Sequence, residues 1–263
     1  MRIDSLLSAK GVFPSRNKAK ESVNRGEIYI NGKKVEKSSF DVKENDFSDI
    51  TVKRVATEFV SVGGFKLEKA LNDFEFSVDG FICADIGAST GGFTDCLIQR
   101  GAKTVYAVDL NDELLSEKLK NNKSVIPIIK NARYLSAKDF PLNIDLIVAD
   151  LSFISETLVL SVFSEILSAG KHAIILIKPQ FEEEGKIKRK NGIVNDDKAI
   201  FSAIRKVVLS AVSSDFTPDN LTNSPIVSGK NKEFLLLLTK KTTNNFDIDL
   251  FIKNYTLKNT VKK

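Results

Sequence analysis

Residues 81–109 read FICADIGASTGGFTDCLIQRGAKTVYAVD, and this stretch decides the fold. Apolar FICADI has the text of a strand. The glycine-rich turn GASTGG follows, then GFTDCLIQRG as a helix, then a second strand, TVYAV, that ends at Asp109. Strand, glycine turn and helix together describe a nucleotide site, because glycines let backbone N–H groups approach a ligand at a helix start. Asp109 stands 22 residues (109 − 87) after Gly87, a spacing suited to a carboxylate that holds ribose hydroxyls. The turn is not GxGxxG, so a dehydrogenase of the dinucleotide-binding kind is one reading of this fold and a different nucleotide-cofactor enzyme is another.

The pattern continues outward. DELLSEKLK predicts a helix, IPIIK a short strand, IDLIVADLSF a strong strand, and the stretch after Ser155 a helix. AIILIKPQ predicts a further strand, residues 198–212 a helix, and KEFLLLLTK a late strand. Such alternation predicts an open, mostly parallel α/β sheet, whose ligands bind at the carboxyl ends of the strands. Those ends carry Asp85 through Gly92, Asp109, Asp150 and Lys178. The sharpest case is AIILIKPQF, residues 173–181, where a strand apolar on both faces runs into Lys178 and is stopped by Pro179. A buried strand has no packing reason to end in a polar group, and four such endings predict a site.

Composition sets the wider bounds. The chain of 263 residues is 42% hydrophobic and 28% charged, the balance of an ordinary globular protein with room for one large domain and one small one. No stretch approaches the roughly 18 apolar residues of a membrane span, and MRIDSLLSAKG does not read as a signal peptide, so a cytoplasmic location is expected. Cys83 and Cys96 sit in apolar text as buried thiols, and the single histidine, His172, has no Cys or His cluster around it; no metal site is expected. Proton transfer therefore falls to Lys, Asp or Glu. Residues 1–40 hold nine Lys/Arg against four Asp/Glu, which accounts for the whole net charge of +5, and this asymmetry points to a polyanionic partner.

In that basic segment Ile3, Leu6 and Leu7 predict one short amphipathic turn. Gly11 and Pro14 break it, Ser15 caps a helix that closes at Gly26, and IYINGKKV predicts a hairpin turning at Asn31–Gly32. The pattern of RIDSLL and SRNKAKESVNRGEIYINGKKV resembles the small RNA-binding module of ribosomal protein S4. The resemblance implies that residues 1–60 are an α+β RNA-binding domain gripping phosphates through Arg2, Arg16, Lys18, Lys20, Arg25, Lys33 and Lys34.

The loop Asp85-x-Gly87-x-x-x-Gly91 resembles the S-adenosylmethionine loop of class I methyltransferases. Together with NARYL, DLIVADLSFIS, LIKPQFE and NKEFLLLL, it is similar to the TlyA, or hemolysin A, family. That resemblance implies a Rossmann-like, FtsJ-like methyltransferase sheet over residues 61–241 and a basic C-terminal extension over 242–263. It further implies 2′-O-methylation of ribose, at cytidine, in the ribosomal RNA of ribosomal subunits. The family's Lys-Asp-Lys-Glu tetrad falls on Lys66, Asp150, Lys178 and Glu233, with Lys69 a neighbour expected to face solvent. S-adenosyl-L-methionine is expected to meet Asp85, Gly87, Ser89, Thr90, Gly91, Gly92, Phe93, Asp109, Asn131 and Ala132.

The chain departs from the family in places. Ser61-Val62 replaces the usual Ser-Arg before Lys66, and LNDELLSEKL replaces the usual text after Asp109. These departures keep open a decayed enzyme that only binds RNA, and the family's name keeps open a membrane-lytic protein. Phe181 through Asp197 reads as a lid or a solvated loop, and the tail after Lys241 as a loose helix or basic arm.

Overall fold

A computed structural model describes residues 1–13, 15–52, 59–182, 193–194, 196–225, 230–241 and 245–260. Pro14 and most of the expected lid, residues 183–192 and 195, lie outside the described residues. The chain divides into two compact units, residues 1–58 and 59–263.

The smaller unit contains α1 (Ile3–Ala9), α2 (Arg16–Arg25), β1 (Ile28–Ile30), β2 (Lys33–Lys34) and β3 (Ile50–Val52). Asn31 and Gly32 both take positive φ, 49° and 74°, which two-residue hairpins need to match strand twist. Strand β1 lies between β2 and β3, and Ile3, Leu6, Leu7, Val23 and Ile28 form the core beneath. Asp4 is buried in this unit and accepts ion pairs from Arg2 at 2.8 Å and Arg16 at 3.3 Å. Burial works against its ionisation, but the two guanidiniums prevail and hold its carboxyl below the usual range.

The larger unit runs α3 (Gly63–Asp73), β4 (Ile82–Ile86), α4 (Gly92–Gln99), β5 (Thr104–Asp109), α5 (Glu117–Lys120), β6 (Val125–Ile129), β7 (Leu146–Ala149), α6 (Leu160–Ile166), β8 (His172–Ile177), α7 (Pro179–Glu182), α8 (Asp197–Ser213), β9 (Phe216–Asn223), β10 (Phe234–Lys240) and α9 (Ile248–Thr260). Among the described residues its sheet has seven strands in the order β6-β5-β4-β7-β8-β10-β9. Strands β4 to β8 pair in parallel, and β10 runs antiparallel between β8 and β9. The order reverses beside β4, so the switch point, where ligands bind, opens between the ends of β4 and β7.

Side chains alternate between two cores, as the pleat requires. Cys83, Val105, Leu146, Val148, Ile174, Leu176, Leu235 and Leu237 join Leu67, Leu71 and Leu97 of α3 and α4. Ala84, Tyr106, Ile147, Ala149, Ile175, Ile177, Leu236 and Leu238 join Phe163, Ile204 and Val207 of α6 and α8 on the other face. The expected strand at FICADIG and the helix over 198–212 appear as β4 and α8.

Three readings need correction. DELLSEKLK forms only the four-residue α5, because Leu115 folds back in a turn to Asp112 and fills the space over Gly91 with Leu119. IDLIVADLSF stops as a strand at Ala149, and Asp150 keeps one last bond to β4, from its N–H to the Ile86 carbonyl at 3.2 Å. Strand β9, FTPDNLTN, has no alternation to announce it, since Pro218, Asp219 and Asn220 are poor strand formers tolerated at a sheet edge. The tail, read as a loose helix or a basic arm, contains the helix α9, with Phe251, Ile252 and Tyr255 packed on the core.

The β4–α4 turn is tight. Gly91 has φ +90°, and a Cβ there would come within 2.2 Å of Leu119 Cδ1. Gly91→Ala is expected to lower stability by about 1–3 kcal/mol in urea denaturation; an unchanged midpoint would contradict that account. Below the turn, fully buried Asp85 accepts from the Thr94 N–H at 2.8 Å and the Thr94 hydroxyl at 2.6 Å. Burial pushes its carboxyl up to about 7, although both Thr94 bonds pull the other way. The folded chain therefore keeps a proton on Asp85 that the unfolded chain loses above the usual aspartate value of 3.8. Stability should fall as pH rises between those values, by about 4 kcal/mol from this group. Asp85→Asn should remove that slope. A difference in unfolding free energy between wild type and Asp85→Asn that stays constant from pH 4 to pH 8 would refute it.

Candidate active site

Strand parity brings the expected residues together. Asp150 continues the Leu146–Val148 side of β7, and Lys178 continues the Ile174–Leu176 side of β8. Both therefore emerge toward α3, which carries Lys66. Glu233 precedes antiparallel β10, whose first residue, Phe234, pairs with Ile177; the reversal of β10 brings its start to the edge where its neighbours end.

The four side chains form one connected chain. Lys178 Nζ lies 2.5 Å from Asp150 Oδ1 and donates to Ser152 Oγ at 2.8 Å. Lys66 Nζ lies 3.5 Å from Asp150 Oδ2 and 2.7 Å from Glu233 Oε2. Lys178 is 6% exposed, so its charge does not escape to solvent. Burial alone would lower the Lys66 value, but Asp150 and Glu233 outweigh it and hold the ammonium above the usual lysine range. Lys66 is a fixed cation.

Two cavities adjoin this chain. One of about 310 Å³ is lined by Lys66, Asp85, Gly87, Asp150, Ser152 and Lys178, with Ser89, Thr90, Gly92 and Phe93 also on its wall. The second, of about 560 Å³, is lined by Gly87, Asp109, Asn131, Ala132, Leu151 and Phe153 among others. They share Gly87, Ser89, Asp150 and Ser152. Gly87 has φ +84°, and a Cβ on it would meet the Asp150 carbonyl oxygen at 3.0 Å, so glycine keeps this junction open. Asp109 lines the larger cavity and accepts the Ser89 N–H at 2.7 Å and the Leu110 N–H at 2.6 Å, one on each oxygen, which leaves each oxygen a further acceptor site. Asn131 Oδ1 accepts the Arg133 N–H at 3.0 Å. Asp85 Oδ1 is buried with no hydrogen-bond partner among the described residues.

Other expected residues fall elsewhere. Gly91 lines neither cavity; its N–H bonds the Ala88 carbonyl at 2.7 Å and it starts α4. Glu233 stands behind Lys66, off the cavity wall. Lys69 does not simply face solvent: it pairs with Asp73 and donates to Thr222 Oγ1 at 3.0 Å, a contact that required knowing β9. In the smaller unit Lys20, Lys33 and Lys34 are exposed, while Arg2 and Arg16 are tied to Asp4; Lys18 and Arg25 lie in α2. Ser152 was not anticipated, and a lone serine two residues past a strand-end acid carries no distinctive signal. Phe153 is 86% exposed at φ +69°, an unusual backbone for a bulky side chain. Its ring lies 5.4 Å from that of Phe181.

Comparison with known proteins agrees with this architecture. The FtsJ-like methyltransferase family matches residues 59–241, and the S4 domain matches residues 1–48. Hemolysin A of Brachyspira hyodysenteriae is 38% identical, over 89% of this chain and 98% of its own. The 16S/23S rRNA (cytidine-2'-O)-methyltransferase TlyA of Mycobacterium tuberculosis is 35% identical, over 91% of this chain and 90% of its own. A solved structure from Streptococcus thermophilus, provisionally named a hemolysin, has a TM-score of 0.72 at 35% identity, covering 100% of this chain and 98% of that one. With its methyltransferase match spanning the seven-stranded unit and relatives of this identity along most of its length, the chain belongs to the FtsJ-like methyltransferase family and carries an S4 domain at its amino end.

Proposed function

We propose that this protein is an S-adenosylmethionine-dependent methyltransferase that modifies a ribose 2′-hydroxyl of ribosomal RNA, at cytidine, in the cytoplasm. The observation that carries the reading is the chain Lys178–Asp150–Lys66–Glu233 beside the Gly87 junction. The relatives named for rRNA methylation supply the substrate class.

The residues fit the cofactor. A cavity of about 560 Å³ suits a nucleoside-sized ligand. Asp109 offers acceptors for a ribose diol, and Ala132, Leu151 and Ile154 offer apolar walls for a base. Asn131 borders the same cavity, and the unpaired Asp85 Oδ1 stands beside the smaller one. When bound, S-adenosylmethionine supplies a methyl group on a sulfonium that leaves as a neutral thioether, so the acceptor hydroxyl must give up a proton as its oxygen gains the methyl.

The chain's own groups prepare that hydroxyl. Lys66 is held charged by two carboxylates and is unsuited to accept a proton. Lys178 shares Asp150 with Lys66, lines the smaller cavity, and has donors committed to Asp150 and Ser152 that fix its amine. In this reading Lys178 orients the hydroxyl and receives its proton when the amine is neutral. Asp150 and Glu233 place the two lysines. Placement of the hydroxyl in line with the methyl contributes the larger share of the rate. The exposed Lys20, Lys33 and Lys34 of the S4 domain hold RNA by its phosphates. Among the described residues no helix is long and apolar enough to cross a membrane, and no Cys, His, Asp and Glu cluster could hold a metal ion.

Two outcomes test the reading. Lys178→Ala should slow single-turnover methyl transfer to ribosomal subunits by about 10²–10⁴-fold, with cofactor affinity in calorimetry nearly unchanged. Lys178→Arg should not restore it, because arginine stays protonated and its planar fork fits differently. Near wild-type transfer by Lys178→Ala would return the lysine to a structural ion pair. Joint replacement of Lys33 and Lys34 by Ala should weaken ribosomal RNA binding for all sequences alike. It should also lower the slope of log affinity against log salt by about 1–2, and an unchanged slope would remove them from the RNA contact.

A further inference from the structure

Beyond Ala149 and Ile175 the ladder between β7 and β8 no longer joins the two chain segments, yet these segments carry Asp150, Ser152 and Lys178. Side chains take over the joining. Nearest the sheet are the Lys178 contacts to Asp150 and Ser152, and next comes the Phe153–Phe181 ring contact. Farthest out is Glu182, one helical turn after Lys178. Its Oε1 accepts the Glu156 N–H at 2.9 Å, and its Oε2 accepts the Ser155 hydroxyl. The Glu182 carboxyl thus caps the 3₁₀ turn Glu156–Leu158 that ends the β7 loop. Its own backbone carbonyl accepts Lys206 Nζ of α8 at 2.5 Å, and Phe181 N–H bonds the Lys178 carbonyl at 2.8 Å. The loop and the turn are therefore fastened at both ends, with the Lys178 amine between.

The setting is costly. Glu182 is 1% exposed and Glu156 is 2% exposed, so two carboxyl groups are withdrawn from water behind the lysine. The Glu156 oxygens make no full hydrogen bond among the described residues, and only the Leu151 N–H lies near enough to favour their ionised form. Burial pushes Glu156 well above the usual carboxyl range, with the neighbouring Glu182 adding to the effect and Lys178 opposing it. A protein that only needed to join two loops would do so more cheaply with apolar side chains, whereas a hydrogen-bonding carboxyl fixes the geometry of the donors it accepts.

We propose that Glu182 is a positioning residue for the Lys178 amine: by capping the β7 loop it holds Ser152 and Asp150 where they orient Lys178. The Glu156 side chain fills space beside it and makes no hydrogen bond to Lys178, Asp150 or Ser152. Lys66 shares Asp150 only at 3.5 Å and is held more closely by Glu233 at 2.7 Å, a contact outside the loop that Glu182 caps, so it serves as an internal reference.

The test labels amines with limiting acetic anhydride and compares Lys178 with Lys66 in the same molecule by mass spectrometry. Glu182→Gln keeps an acceptor for the Glu156 N–H but loses one for the Ser155 hydroxyl. It should raise the Lys178-to-Lys66 labelling ratio about 3–10-fold as the amine loosens. Ser155→Ala, a milder change at a half-buried position, should raise it in the same direction, and Glu156→Gln should leave it unchanged. Glu182→Gln combined with Ser152→Ala should exceed the larger single effect by little, since both act through one contact. The proposal is overturned if the ratio does not move in Glu182→Gln and Ser155→Ala. It is equally overturned if labelling of both lysines rises together, which is general loosening, or if the effects multiply. Methyl transfer, which rests on the function proposed above, should fall about 10–100-fold in Glu182→Gln. If wild type transfers no methyl to ribosomal subunits, that function fails while the labelling ratio still decides the role of Glu182.

Discussion

A lysine at the end of a strand buried on both faces constrains everything around it. Lys178 is 6% exposed, and an ammonium in such a place needs a partner, since leaving one buried charge uncompensated costs about 3–5 kcal/mol. Asp150 is that partner, at 2.5 Å. One carboxylate between two cations leaves an excess of positive charge, which Glu233 offsets at Lys66. The four groups form one connected chain, and each is delivered by a different element: α3, β7, β8 and the start of β10. Hydrophobic packing of the sheet supplies the precision, and the charges supply a reason for these strands to end in register.

Much of this was legible in the text. The period of two in LIVA, AIILI and FLLLL continues to Asp150, Lys178 and Glu233, and it alone places all three on the side of the sheet that faces α3. The polar strand endings and the turn GASTGG lie at the sheet edge that carries the candidate site. What stayed hidden has physical causes. Strand β9 is held by its ladder with β10 and by burial of Phe216 and Leu221, against the local preference of FTPDNLTN. The helix expected in DELLSEKLK yields because Leu115 and Leu119 serve the packing over Gly91 before they serve a helix. Ser152, Lys69 and Glu182 act through partners distant in sequence, and no local pattern reports such pairs.

The basic amino end shows that a charge count does not tell which cations are already engaged within the fold. Arg2 and Arg16 were grouped with the surface cations, but both are engaged by buried Asp4. Their first task is to neutralise a carboxylate that Ile3 and Leu6 draw into the core with them on one short helix. Lys33 and Lys34, on a two-residue strand with both side chains exposed, carry no such obligation. A phosphate-binding surface is better sought among cations without an internal carboxylate to serve, because an ion pair already made must be shared or broken before the guanidinium meets RNA.

The two cavities share Gly87, Ser89, Asp150 and Ser152, and this overlap bears on how such a site discriminates. The residues that line the larger cavity on one side are the residues that orient Lys178 on the other. A ligand that presses on the Asp150–Ser152 segment therefore also acts on the lysine, without any wider change in the sheet. The smaller cavity cannot be adjusted independently of the larger one, since a Cβ at Gly87 would already reach the Asp150 carbonyl. Such a shared wall makes occupation of one cavity a condition on the geometry of the other, which is what a reaction between two bound partners in fixed alignment requires.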